Sequence, residues 1–358
     1  MPKVEISSTA ALVSATERED ASSQPHPRFS EIRPLRVLIL GLAVLAAGYG
    51  TAHATEGGGT AFFMGQKTTQ LGIMPAPGFS YAALTTYYEA NSFVGSNGKT
   101  LVPRYDLNAE VGGGRFTYVL PDQIEGTTVG FAVQVPLVTS NYLKKSANGI
   151  VDGVDQRNYG MGDIKFSPIN LGWKGNNLAG RFDSNFSVWA SAPTGEYEAN
   201  QPFNITRNYW SYWASWGQNW QPTPDIQIGI MPSYIKNMKN QATQYQSGDE
   251  VEVDYSAGYR VMPSLWLDVA GYYYKQVTGD TLKGQIVSNT VAAFGPAAGK
   301  PGVPVDPGDG FMGRVFAIGP QVRYNLFGVN AIAKWQHEML AQNRPEGERF
   351  WMIFAGHF

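Results

Sequence analysis

Apolar and polar residues alternate with a period of two along much of the chain beyond residue 80. In 249–262, Val251, Val253, Tyr255, Ala257, Tyr259 and Val261 interleave with Glu250, Glu252, Asp254, Ser256, Gly258 and Arg260. Segment 181–191 repeats the scheme, with Arg181, Asp183, Asn185, Ser187 and Ser191 opposite Phe182, Phe186, Val188 and Ala190. Successive side chains of a strand point to opposite faces, so each segment has one apolar and one polar face. Alternation and turn residues together predict strands at 80–93, 105–120, 126–141, 159–173, 177–192, 204–220, 224–237, 249–262, 264–278, 312–325, 328–341 and 347–358. The set is twelve, an even number, as bacterial single-chain membrane barrels have.

Connections sort into two kinds that alternate along the chain. Short ones carry turn chemistry: Pro121 to Gly126, Lys174 to Asn177, Gln221 to Pro224, Pro263-Ser264 and Leu326 to Gly328. Long, polar or Gly/Pro-rich ones fall at 94–104, 142–158, 193–203, 238–248 and 279–311. A soluble sandwich gives no reason for this alternation, whereas a membrane barrel has short periplasmic turns and longer extracellular loops. The expected fold is therefore all-β: a transmembrane antiparallel up-and-down β-barrel over 80–358. Its apolar faces would meet lipid and its charged faces the lumen, the reverse of a soluble sheet.

The two ends of the chain bear on location. Val37 to Gly50 is an apolar run preceded by Arg28, Arg33 and Arg36 and followed by Ala52-His53-Ala54. It reads as the core of a secretory signal, within an N-terminal extension of 1–54 and cleaved after Ala54, because it is shorter than the roughly 20 residues that a spanning helix needs. The stretch before it is long for a leader, and an initiation near Leu35 would give a short basic one. At the other end Phe350, Met352, Phe354, Gly356 and Phe358 share one strand face. A closing strand with an aromatic last residue resembles the assembly signal of outer-membrane barrels, with Phe350, Phe354 and Phe358 offered to the barrel-assembly machinery. The expected location is the bacterial outer membrane, reached by export through the inner membrane.

Aromatic residues make up 13% of the chain and charged ones 16%, a balance that suits an apolar exterior around a polar interior. Strand parity assigns Asp163, Lys165, Arg181, Asp183, Arg207, Glu252, Asp254, Arg260, Asp268, Lys334 and Glu338 to the lumen. Both signs occur, so these groups either pair across a filled barrel or line a passage. Trp213, Trp266, Tyr272 and Tyr274 have the same parity and would offer a surface to an aromatic solute. A one-residue slip would reverse each assignment. Segment 55–79, with Gly57-Gly58-Gly59 and Pro75-Ala76-Pro77-Gly78, is a poor strand and reads either as a periplasmic tail or as a plug folded into the lumen.

Catalysis finds little support. There is no Cys, and beyond Ala54 only His337 and His357 could serve as a base. His337 and Glu338 are adjacent on a strand and face opposite sides. No Ser sits in a nucleophile elbow, and two isolated His residues are poor metal ligands. No catalytic residue, cofactor or metal is expected, and a net charge of −2 argues against a nucleic-acid partner.

Several short strings resemble a known family. They are Glu56-Gly-Gly-Gly-Thr60; Pro75-Ala-Pro-Gly-Phe79 followed by Tyr87-Tyr88; Gly160-Met-Gly-Asp163 with Ser167-Pro168 and Leu171-Gly-Trp173; Ala192-Pro-Thr-Gly195; and Gly319-Pro-Gln321. In this order they are similar to the proteins of the meta-pathway of phenol degradation. The Gly-x-Gly-Asp, Ser-Pro and Leu-Gly-Trp series is the most specific part. The resemblance implies an outer-membrane β-barrel found beside genes for aromatic catabolism, with no catalytic residues attached. The expected function is a channel for passive uptake of small hydrophobic or aromatic compounds, the lipid bilayer and such a solute being its partners. A non-conducting structural or adhesive barrel is the rival reading, and an outer-membrane hydrolase a third. Solute identity and oligomeric state are left open.

Overall fold

The computed structural model describes residues 59–102, 105–144, 154–199, 204–287 and 312–358. The expected leader at 1–54 lies outside them. Twelve long strands form one closed antiparallel barrel. They are β1 Gly78–Val94, β2 Tyr105–Val119, β3 Thr128–Lys144, β4 Lys165–Asn177, β5 Gly180–Ser191, β6 Ser211–Thr223, β7 Ile226–Asn237, β8 Glu250–Met262, β9 Leu265–Gln276, β10 Arg314–Leu326, β11 Val329–Gln342 and β12 Arg344–His357. Each pairs with its sequence neighbour, and β12 returns to β1 in a ladder from Ser80–His357 to Val94–Arg344. Closure leaves no free edge among these twelve strands, the condition for backbone to sit in hydrocarbon. No helix among the described residues is long and apolar enough to cross a membrane.

Exposure fixes which face is outside. In β12, Phe350, Met352 and Phe354 are 46%, 50% and 43% exposed, while Trp351 and Ile353 between them are 3% and 7%. In β8 the acidic set is buried, and Tyr259 and Val261 on the other face are exposed. The molecule is thus apolar outside and charged inside. Exposed aromatics gather toward the two rims: Phe79, Phe116, Phe131, Tyr259 and Tyr324 at the end with short turns, Tyr87, Tyr159, Trp210, Tyr212 and Trp335 toward the other. Such belts match membrane–water interfaces. The short-turn end is called the inner end below, and its opposite the outer end.

At the inner end β10 and β11 are joined by Phe327-Gly328, with φ of 50° and 88°. Two successive positive φ values make the mirror-image turn that suits the twist of a hairpin, and glycine takes the second without strain. At the outer end β11 and β12 are joined by Asn343 alone, also at positive φ. The described parts of two outer connections build a small four-stranded sheet from Lys239–Asn240, Tyr245–Gln246, Thr281–Leu282 and Gln285–Ile286. Its buried centre is Asp280, which accepts from Gly248 N at 2.7 Å, Gln276 Nε2 at 2.8 Å and the Tyr245 hydroxyl. Burial pushes this carboxyl well above the usual carboxylate range.

Three expectations need correcting. Segment 159–173 is not one continuous strand, because a break at Gly162–Ile164 separates Val154–Met161 from β4. Both pieces pair with β3, and the first extends that ladder to Lys144–Val154, so the expected loop at 142–158 is shorter than its sequence suggests. Lys174 to Asn177 and Gln221 to Thr223, expected in turns, end β4 and β6, and the turns are Leu178-Ala179 and Pro224-Asp225. Residues 204–210, expected to begin a strand, are connection, and β6 starts at Ser211. Their Trp and Tyr content imitates a membrane-facing strand, but Asn208 takes φ 56° and breaks the extension.

Candidate functional site

The break before β4 organises one corner of the outer end. Freed from the ladder, the Asp163 carboxylate turns inward and accepts from Gly195 N at 3.2 Å and Arg207 N at 3.0 Å. Ile164 N donates to Thr194 Oγ1 at 2.9 Å, and Thr206 Oγ1 donates to Glu196 O at 2.7 Å. A Cβ at Gly162 would meet Pro136 Cγ at 2.9 Å, and one at Gly195 would meet Met161 O at 2.5 Å. The Gly160–Asp163 and Ala192–Gly195 strings are therefore two halves of one structural joint. Arg207 belongs to this joint rather than to a strand, its guanidinium beside Gly59.

The lumen is occupied by residues 59–77. Ala61, Phe62, Met64, Leu71 and Met74 are buried there. Polar anchors reach them from strands around the wall. Thr60 Oγ1 donates to Glu250 Oε2 at 2.5 Å, and Gln66 Nε2 to Gln134 Oε1 at 3.2 Å. Thr68 and Thr69 hydroxyls donate to Gln321 Oε1 at 2.9 and 3.0 Å. Lys334 Nζ donates to Gln66 O at 2.9 Å, Thr68 Oγ1 at 2.8 Å and Gly65 O. Space for the segment comes from glycines on inward faces. A Cβ at Gly217 would lie 2.5 Å from Gly72 N, one at Gly229 2.9 Å from Leu71 Cβ, and one at Gly172 2.2 Å from Met74 Cγ. Gly72 itself has φ 80° and lies against the backbones of Asp183 and Asn219.

This fit makes a clear expectation. Gly217→Leu should expel residues 59–77 while β6 keeps its ladder, because the added side chain meets backbone that cannot yield locally. Trypsin cleavage after Lys67 should then accelerate at least tenfold in order of magnitude, whereas Gly175→Leu, whose Cβ has nothing within 4 Å, should leave it unchanged. Equal protection of Lys67 in both variants would count against the fit.

The other predicted lumen residues are placed as follows. Lys165 is buried, with its ammonium 4.4 Å from the Phe63 ring centre. Asp183 pairs with Arg181 on its own strand at 2.7 Å, near the inner rim, rather than across the barrel. Arg260, also near that rim, pairs with Asp225 at 2.8 Å. Asp268 holds Arg323 through two 2.8 Å hydrogen bonds. Glu338 accepts from Tyr88 at 2.7 Å, Tyr272 at 2.5 Å and Gly347 N at 3.1 Å. Glu252 and Asp254 are fully buried and within electrostatic reach of Lys67 and Lys334. Two carboxylates buried this completely need such cations near them.

The predicted inward aromatics do not form a bare track. Trp213 stacks on Trp189 at 5.9 Å and meets Phe62 in a T-shaped contact at 5.6 Å. Trp266 lies under Arg323 at 4.6 Å and Tyr274 under Arg344 at 4.6 Å. Tyr272 spends its hydroxyl on Glu338. Of the assembly-signal residues, Phe350 and Phe354 face outward and Phe358, 81% exposed, sits against Tyr81 at 5.1 Å. His337 is exposed, with Nδ1 2.5 Å from Glu348, and His357 is 3.1 Å from Ser80.

Open space remains beside residues 66–76, between them and the wall. A cavity of about 350 Å³ runs from Lys67, Arg115 and Trp189 to the inner rim at Gly328 and His357. Arg115 and Trp189 were legible by strand parity, since each follows the alternation of its strand, but the Gly112-Gly113-Gly114 run blurs the first. Lys67 lies in a segment with no periodicity and gave no signal.

A family model described as "Putative MetA-pathway of phenol degradation" matches residues 90–354. The chain belongs to this family. Among solved structures it is similar to the COG4313 outer membrane channel from Pseudomonas putida F1, at TM-score 0.66 and 12% identity, covering 82% of this chain and 99% of that one. At this identity the likeness establishes the family fold and nothing about cargo. Looser likenesses are to the beta domain of the Bordetella autotransporter BrkA, at TM-score 0.41, 10% identity and 78% and 100% coverage, and to a TodX monoaromatic hydrocarbon channel mutant, at 0.38, 11%, 87% and 99%. No curated protein matches the chain in sequence.

Proposed function

We propose that this family member is an outer-membrane channel for passive uptake of small hydrophobic or aromatic compounds, with residues 59–77 as its plug. The observation that carries this reading is the cavity beside the plug, open space inside a barrel whose outer surface is apolar. A twelve-stranded barrel is wider than the eight-stranded ones that side chains fill, yet narrower than general porins. A plug in such a lumen leaves room for small solutes only. The family's association with phenol degradation supports an aromatic cargo. No chemistry is assigned to the barrel wall, where the two exposed histidines make single polar contacts.

The refolded protein in planar bilayers should show discrete current events whose frequency or amplitude changes several-fold when phenol or toluene is added. Silence from a barrel shown to be folded by its heat-modifiable gel mobility would instead favour the rival reading, a filled, non-conducting scaffold. That rival has its own support in the Lys334 clamp, which ties the plug to the wall through three acceptors.

A further inference from the structure

We infer that the cavity beside the plug is a binding site for a small organic anion, a carboxylate carried on an aromatic or apolar body. The inference rests on the channel reading and narrows its cargo. The cavity has the size of ordinary small-molecule sites. Its lining includes the cations Lys67 and Arg115 and contains neither Asp nor Glu. Arg115 projects inward from β2, is half-buried, and makes no hydrogen bond or ion pair with any described residue, so its guanidinium faces the open space of the cavity.

The neighbouring charges do not cancel it. Arg115 lies within electrostatic reach of Lys67 and of Lys334, and it is those two ammoniums that face the carboxylates of Glu252 and Asp254. Those carboxylates are absent from the cavity wall, so a solute there meets Arg115 and Lys67 and not the acids. Lys67 lies 4.5 Å from the Trp189 ring centre, which keeps its ammonium beside an aromatic plane. Asn170, Asn185 and Thr117 add neutral polar groups, and Met231, Ile332 and Ile353 provide apolar wall. A planar fork suits a carboxylate by two parallel hydrogen bonds, and the apolar wall suits the body attached to it.

The test is calorimetric titration of the refolded protein in detergent with benzoate, benzyl alcohol, benzylammonium and acetate. Benzoate is expected to bind at least about tenfold tighter than benzyl alcohol or acetate, and benzylammonium not at all. Arg115→Gln should weaken benzoate by about tenfold and leave benzyl alcohol unchanged, with Arg115→Lys intermediate. Lys67→Gln, on the plug and outside the barrel wall, gives a second reading if the Arg115 variants refold poorly. Equal binding of benzoate and benzyl alcohol, insensitive to both substitutions, would overturn the anion site and leave the channel reading standing. Acetate as tight as benzoate would overturn the aromatic body. Failure of every solute to bind a folded barrel would overturn the site, and the bilayer currents then decide separately whether the channel reading goes with it.

Discussion

Deleting residues 60–76 is expected to raise single-channel conductance by several-fold to an order of magnitude, with the barrel still folded. The wall is closed by the β12–β1 ladder, whose bonds run from Ser80 to Val94 and use nothing from the deleted stretch. What is lost is the filling: five buried apolar side chains and the anchors at Glu250, Gln134, Gln321 and Lys334. Water should take their place, because the exposed wall is polar and can be hydrated. The same wall without its plug should also lose selectivity among small solutes, since one side of the cavity, Lys67 included, leaves with the deleted stretch. Conductance equal to that of the intact protein, recorded from barrels with normal heat-modifiable mobility, would remove the plug from the mechanism.

Lys334→Met is expected to destabilise the folded protein by about 3 kcal/mol and to let the plug open spontaneously. Methionine replaces the aliphatic stem and omits only the terminal nitrogen, so packing along the stem changes little. Three acceptors on the plug lose one donor, two of them backbone carbonyls of Gly65 and Gln66 buried away from water. Charged hydrogen bonds are worth roughly 1.5–3 kcal/mol each, but they share one ammonium and do not add. Asp254 and Glu252 also lose a compensating cation. The checks are the urea midpoint for unfolding in lipid vesicles and the appearance of brief openings in bilayer recordings. An unchanged midpoint with no openings would show that the clamp is dispensable.

The wall was legible in the sequence because lipid demands strict alternation on one side of every strand. Segment 249–262 sorted its acids from its valines and tyrosines without ambiguity, and the exposure of β8 follows that sorting. Errors came where the ladder stops obeying that demand. At Gly162–Ile164 the chain leaves the sheet so that Asp163 can bind two backbone N–H groups, and no periodicity marks such an exit. At 204–210 aromatic content suggested a strand, but those side chains serve a loop. The plug was legible only as a choice between two fates, since Gly/Pro-rich chain has no face. A further signal lay elsewhere: glycines at 130, 172, 217 and 229 all fall on inward positions, and a filled barrel has little other reason to leave its inner wall bare there.

The clamp and the seam join residues that lie far apart in the chain. Lys334 meets Gly65 across 269 positions, and Ser80 meets His357 across 277. Contacts this remote carry the largest loop-closure cost, which must be met before they return any stabilisation. Seating the plug and zipping the seam must therefore happen together and late, when nearly every other strand pair already exists. Until then the half-made cylinder holds its charged face open and its plug loose, so the protein should acquire protease resistance in a single slow step rather than strand by strand.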